Sequence, residues 1–189
     1  MLGTLKDPNP MTETFRLSHI PTPVGDMLIA VDDQDRLRVL DWDSHRERME
    51  RLMERYYGPG AVTLVDGAAD HVVGRKLEAY VAGDIHAIDD IATETTGTAF
   101  QRRVWAALRE IPAGRTWSYG QLAVHVGEPG AARAVGLANG SNPIAIVAPC
   151  HRVIGANGTL TGYGGGIERK RWLLRHEGAA FKDSEPLLL

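Results

Sequence analysis

The chain has 189 residues, 43% of them hydrophobic, a single cysteine and a formal net charge of −3. This length can bury one good core or two small ones, and two domains are expected. One cysteine excludes an internal disulfide and a cysteine-rich structural zinc site, and no apolar run approaches the roughly 20 residues that cross a bilayer.

Residues 1–10 are polar and proline-bearing rather than signal-like. The expectation is a soluble, cytoplasmic protein with no membrane partner, its first ten residues a candidate for disorder. Charge is unevenly spread. Residues 1–98 hold 10 Lys and Arg against 18 Asp and Glu, a balance of −8, whereas residues 99–189 hold 11 against 6, a balance of +5. A mildly basic solvated face would explain the second half as well as a bound polyanion would, but the asymmetry confines any polyanion to that half.

Three apolar or alternating runs, residues 14–20, 25–31 and 37–42, are separated by Pro21-Thr22-Pro23 and by the turn-forming residues 32–35, as in antiparallel strands joined by turns. Ser44 is the expected cap of an amphipathic helix reaching about Tyr57. A fourth strand over 61–65 and a helix over about 69–82 follow. Asp32, Asp33 and Asp35 lack the full spacing of a calcium loop and read as turn chemistry. Residues 1–90 thus read as a small α/β domain without visible chemistry, followed by a linker over 91–97.

The second domain begins near Thr98. Phe100, Val104, Ala107, Leu108 and Ile111 form the stripe of a core-facing helix, which Pro112-Ala113-Gly114 ends. Ser118 then precedes a helix over 119–126, a glycine-bearing turn and a second short helix over 131–139, the outline of a helix-turn-helix. That second helix is nearly bare, since Ala131, Ala132, Ala134, Gly136, Ala138 and Gly140 leave few side chains except Arg133. It can lie close against a neighbouring helix or in a narrow groove, where Arg133 could enter a base stack or contact a phosphate.

Residues 155–166 form a loop with six glycines. A final helix over 167–176 is expected to turn Trp172, Leu173 and Leu174 inward and Arg169, Lys170, Arg171 and Arg175 mostly outward. Glu177 would then sit at the negative end of that helix, misplaced by several tenths of a kcal/mol, which points to another partner for its carboxylate.

Pro149-Cys150-His151-Arg152-Val153 holds the only thiol. At an unperturbed pKa of about 8.5, roughly 3% of a thiol is ionised at pH 7, so a working nucleophile needs a base or a positive field. His151 could be that base, directly or through a water, with a buried carboxylate orienting the imidazole. Such a set serves a Cys-His-Glu hydrolase and an alkyl-accepting thiol equally well, and a buried inert cysteine beside a histidine has the same sequence.

Eight ordered blocks carry a resemblance: Phe100-Gln101 to Val104-Trp105, Ile111 to Gly114, Ser118-Tyr119-Gly120, Arg133 to Gly136, Asn142-Pro143-Ile144, Pro149 to Gly155, Leu160 to Tyr163 and Leu173 to Gly178. In order and spacing, residues 98–178 resemble the O6-alkylguanine-DNA alkyltransferases, and the first half is similar to the N-terminal domain of the bacterial stand-alone members. The resemblance implies an α/β protein: a small ribonuclease-H-like domain, then a mainly helical, winged-helix-like domain with the helix-turn-helix, and a tail over 179–189. It implies direct-reversal DNA repair, in which Cys150 takes an alkyl group from O6 of guanine irreversibly and only once. Activity on O4 of thymine is left open.

By motif, His151 would be the water-mediated base, Glu177 its orienting partner and Asn142 the hinge that ties the recognition helix to the reactive turn. Tyr119, with Ser118 beside it, would crowd the target phosphate and help protonate the leaving base. Arg133 would replace the extruded base, on a helix whose Ala132 and Gly136 allow minor-groove approach. Tyr163 and Gly164 would wall the pocket; some relatives have serine at the position of Gly164, which leaves the number of donors to O6 open. The implied partner is double-stranded DNA carrying O6-alkylguanine, with cooperative self-association on DNA left open, and no cofactor or metal is expected. Two further readings stay in view: a sensor that binds alkylated bases without chemistry, and the thiol hydrolase.

Overall fold

The computed structural model describes residues 12–183. The expectations for residues 1–10 and for the end of the tail lie outside them.

A four-stranded sheet occupies the first half, with β1 (Glu13–Ile20), β2 (Met27–Val31), β3 (Leu37–Trp42) and β4 (Val62–Asp66) in the order β3-β2-β1-β4. The first three strands form an antiparallel meander, and β4 returns through α1 (Arg46–Tyr57) to lie parallel to β1. Every residue of β2 is buried because both faces of the sheet are covered. Met27, Ile29 and Val31 point to one side and Leu28 and Ala30 to the other, the period of two expected of a strand.

The Leu28 side joins Phe15, Leu17, Val39 and Met49 in a small core beneath α1. The Ile29 side joins a larger one that includes Leu77 and Tyr80 of α2 (Val72–Val81), Trp105 and Leu108 of α3 (Ala99–Leu108), Leu122 of α4 (Tyr119–His125), Val135 of α5 (Ala132–Gly140) and Leu173 of α6 (Ile167–His176). The two halves of the chain therefore share one apolar core. Ile88 and Ile91, in the stretch between α2 and α3, are buried in it as well.

The free edge of β3 is covered by the second half. Leu37 bonds to the backbone of Ala92 and Glu94, and Leu40 to Pro143 and Ala145. An edge strand that would otherwise recruit another chain is thereby used to seat the segment leading to Cys150. Two very short strands, β5 (Trp117–Ser118) and β6 (Val153–Ile154), pair in parallel and fix α4 beside that segment.

Three local expectations change. Ser44 does not cap α1: a turn of 3₁₀ helix over Asp43–His45 intervenes, and the Ser44 hydroxyl accepts from Arg169 of α6 instead. The tertiary contact wins over the local cap. The helix expected from residue 69 begins at Val72, because the His71 ring takes the cap position and accepts from the Gly74 amide at 3.1 Å. Lys170, expected on the outer face of α6, is fully buried. It lies three residues before Leu173 and four before Leu174, on their face of the helix.

Candidate active site and the helix beside it

After α5 the chain makes no regular element until Cys150. Ile146 sits at φ +69°, and its neighbours close a three-residue turn through the Val147 amide and the Ala145 carbonyl at 2.8 Å. That hand is rare and strained, costing on the order of 1–3 kcal/mol for a β-branched residue. Pro149 closes a second such turn of the ordinary hand, from the Cys150 amide to Ala148 O at 2.7 Å. Asn142, 1% exposed, holds the strained run together: its Nδ2 donates to Ala148 O at 2.7 Å and its Oδ1 accepts from the Ile144 amide at 3.0 Å. Residues 144–150 thus form a buried double turn.

Cys150, His151 and Arg152 then form one 3₁₀ turn, all three buried. His151 Nε2 meets Glu177 Oε1 at 2.9 Å, while its Nδ1 is buried with no protein partner among the described residues. Glu177 follows directly on α6, and the partner that its awkward position required is present several times over. Arg152 grips both carboxylate oxygens, with Nε on Oε2 and Nη2 on Oε1 at 2.8 Å each, and the Tyr80 hydroxyl of α2 donates to Oε1 at 2.8 Å. Burial opposes ionisation of Glu177, but His151 and Arg152 outweigh it and hold the carboxyl well below the usual range. The anion fixes the imidazole with its proton on Nε2, leaving Nδ1 as the acceptor.

Burial pushes the Cys150 thiol up, against a hydrogen bond from Asn142 and the positive fields of Arg48 and Lys170. Burial also lowers His151, against the pull of Glu177. The resting pair is therefore a neutral thiol beside a neutral imidazole, with cations placed to favour charge separation when the proton moves.

Cys150 opens on a small cavity of about 50 Å³ lined also by Tyr119, Gly136, Asn142, Tyr163, Gly164 and Arg48. A larger cavity, about 340 Å³, lies behind the reactive turn against Val147, Pro149 and Arg152, and Cys150 does not line it. The Tyr119 hydroxyl is within 3.0 Å of Thr161 Oγ1, and its ring packs against Gly136, where an added Cβ would lie 3.7 Å away. Ser118 is the N-cap of α4, in a reciprocal capping box with Gln121, and Ala132 opens α5. Gly127 and Gly130 supply the positive φ values of the turn between these helices. Along α5, Arg133, Ala134, Leu137 and Gly140 face solvent, while Val135, Ala138 and Asn139 face inward. The geometry brings Tyr119, Gly136, Asn142, Cys150, Tyr163 and Gly164 to one cavity, with His151 and Glu177 behind it, and places Arg133 outside on the exposed face of α5.

Four contributors were not anticipated as site residues. Arg152 and Tyr80 bind Glu177, as above. Arg48 of α1 pairs with Asp41, donates to Gly140 O at 2.8 Å, and fills the space beside Gly164, where an added Cβ would come within 2.8 Å of its guanidinium. A serine at 164 would displace it. Lys170 donates to Val153 O at 2.6 Å and has no acidic partner among the described residues. The helical period of α6 could have found Lys170, and the adjacency of Arg152 to His151 was visible. Arg48 depends on tertiary packing alone.

Burial brings Lys170 down to about 8. The folded chain releases this proton more readily than the unfolded one, so stability rises with pH between about 8 and 10, and below pH 8 the buried charge costs on the order of 3 kcal/mol. Lys170→Met is expected to remove that dependence. Urea denaturation of the two proteins across this range measures it, and a difference between them that stays constant with pH would contradict it.

Fold and site together define a cysteine-nucleophile protein of mixed α/β architecture with a helix-turn-helix beside the thiol. Residues 99–179 match the family model described as 6-O-methylguanine DNA methyltransferase, DNA binding domain. A methylated-DNA–protein-cysteine methyltransferase of Salmonella typhimurium is 54% identical over 159 residues, 84% of this chain and 93% of that protein. One from Mycobacterium bovis is 56% identical over 129 residues, 67% of this chain and 77% of that protein. Among solved structures, Mycobacterium tuberculosis OGT in complex with DNA superposes with a TM-score of 0.70 at 43% identity, covering 86% of this chain and 92% of that one. The O6-methylguanine-DNA methyltransferase of Pyrococcus kodakaraensis superposes with a TM-score of 0.67 at 26% identity, covering 87% and 99%. The chain belongs to the methylated-DNA–protein-cysteine methyltransferase family.

Proposed function

We propose that this protein repairs alkylated DNA by direct reversal, with Cys150 as a single-use acceptor for the alkyl group on O6 of guanine. The observation that carries this is a buried sole thiol followed directly in the chain by a buried His151, whose Nε2 is paired with a Glu177 held ionised by Arg152. The thiol proton passes through a bridging water to His151 Nδ1, the sulfur attacks the alkyl carbon in line, the carbon–O6 bond breaks and the guanine leaves with its electron pair. In this reading Tyr119, which lines the cavity, supplies a proton to the departing base. The thioether has no hydrolysable bond, so the protein is consumed.

In this reading α5 lies in the minor groove of double-stranded DNA, where base-edge information is degenerate and any sequence can be surveyed. Arg133 fills the gap left by the extruded nucleotide, and Tyr163 and the Gly164 backbone wall the pocket. Extrusion costs a few kcal/mol, least for a damaged and poorly paired base. We assign the ribonuclease-H-like label to residues 1–90, the winged-helix label to 98–178 with the linker over 91–97, and a cytoplasmic location. The meander with its returning β4 and the α4-turn-α5 unit support the two fold labels.

Incubation with a duplex containing O6-methylguanine, followed by mass spectrometry, is expected to show a gain of one methyl group on the peptide carrying Cys150, complete at one equivalent of lesion. Tight binding without a mass gain would replace this reading with the sensor. Repeated turnover on an ester or peptide, abolished by Cys150→Ser, would replace it with the hydrolase.

A further inference from the structure

We propose that Tyr80, contributed by the first half of the chain, is a positioning residue that acts through Glu177 to set the base strength of His151. The proposal rests on the reading that His151 ionises Cys150. Tyr80 is fully buried on α2, at the end of the apolar stripe Val73, Leu77, Tyr80. A phenylalanine would fill that space equally well, so the hydroxyl calls for its own explanation. It donates to Glu177 Oε1 at 2.8 Å, the same oxygen that His151 Nε2 meets at 2.9 Å. The residue is anchored from two further directions: His176 Nε2 lies 2.7 Å from its backbone carbonyl, and its ring meets the His176 ring edge-on at 5.1 Å.

Arg152 already fixes the carboxylate through two hydrogen bonds, one to each oxygen. The Tyr80 hydroxyl is therefore not needed to hold Glu177 in place. What it does is share Oε1. A carboxylate oxygen that satisfies three donors gives less to each, and hydrogen bonds to a buried charge are the strong ones. Tyr80 thus draws charge away from the His151 Nε2–H bond and keeps the imidazole a weaker base than a lone Glu177 would make it. Restraint of this kind suits an acceptor that is used once, because a permanently ionised thiol would be spent on any small electrophile.

Other charges face this group from each neighbouring element. Arg152 adjoins His151, and Lys170 and His176 come from α6. Arg48 and Asp41 pair on the far side of the cavity, where the Tyr163 hydroxyl is also buried. None of these shares Oε1 except Arg152, so the effect of removing the Tyr80 hydroxyl is specific to that oxygen.

Because Cys150 is the only cysteine, its reaction with iodoacetamide can be followed by mass across pH without interference. Tyr80→Phe is expected to lower the midpoint of that pH–rate profile by about half to one unit, raising the rate below the midpoint about three- to tenfold. A merely structural role would change the rate at every pH without moving the midpoint. An unchanged or raised midpoint overturns the proposal. Should the phenylalanine variant fail to fold, 3-fluorotyrosine introduced at position 80 keeps the shape with a more acidic, stronger-donating hydroxyl, and the midpoint should then rise; a fixed or lowered one overturns the proposal. The readout does not involve DNA. Alkyl transfer from DNA with an unmoved midpoint sinks this inference alone, whereas a moved midpoint in a protein that accepts no alkyl group from DNA upholds it and sinks the repair reading.

Discussion

Glu177→Gln is expected to destabilise the protein by roughly 3–5 kcal/mol and to slow alkyl transfer by about 10²- to 10⁴-fold where it remains folded. The first effect follows from what is left behind. Arg152 is 3% exposed, and Glu177 is its only acidic partner among the described residues. Removing the carboxylate charge strands a buried guanidinium with no anion beside it, left with the Ile111 carbonyl and a single amide oxygen as acceptors. With total stabilities of about 5–15 kcal/mol, such a loss is a large fraction of the whole. The second effect follows from the imidazole. A neutral amide still accepts from His151 Nε2–H in one of its two orientations, but it no longer stabilises the imidazolium that the proposed mechanism forms when Cys150 gives up its proton.

The pH dependence separates the electrostatic account from a packing one. Glu177 ionises well below the usual carboxylate range in the folded protein, so its contribution is fully present above its unfolded pKa of about 4.3 and is lost as pH falls below that toward the folded value. The gap between the native protein and the glutamine variant in urea denaturation should be constant between about pH 5 and 7 and should close below about pH 4. A gap that persists unchanged into acid would mean that shape, not charge, holds this site.

The strands and helices were largely legible in the sequence because their periods are strong. The five-residue β2 reads as an apolar run because it is covered on both faces, and α3 shows its stripe from Phe100 to Leu108. The pairing of His151 with Glu177 was legible because His151 adjoins the only thiol and Glu177 is electrostatically misplaced at a helix end. What escaped was set by tertiary packing. Ser44 has the right residue type for a cap, yet Arg169 claims its hydroxyl. The run 144–148 has the composition of a buried strand, yet the backbone turns at Ile146 and again just after it at Pro149, because the edge of β3 and the Asn142 amide claim its polar groups. Arg48 and Tyr80 lie in the half that showed no chemistry. Their contributions exist only because the two halves share a core, and no local pattern in residues 1–90 records that Arg48 reaches the cavity of Cys150 or that Tyr80 reaches Glu177.

The division of labour between pocket and helix yields the second large effect. Arg133 is exposed on α5 and does not line the cavity on which Cys150 opens. If it fills the space vacated by an extruded nucleotide, its truncation should raise the cost of extrusion and leave the chemistry intact. Arg133→Ala is expected to slow repair of O6-methylguanine in duplex DNA by about 10²-fold, a loss of close to 3 kcal/mol, in line with a flipping cost of a few kcal/mol. Reaction with free O6-benzylguanine, which has no stack to leave, should change by no more than about twofold. A simple phosphate contact predicts something else: Arg133→Lys would restore the rate, and the salt dependence of binding to undamaged duplex would weaken by about one unit of slope in the alanine variant. Rates on the two substrates decide between these accounts. Equal losses on duplex and free base would remove Arg133 from the stack and place its effect in the folding of α5.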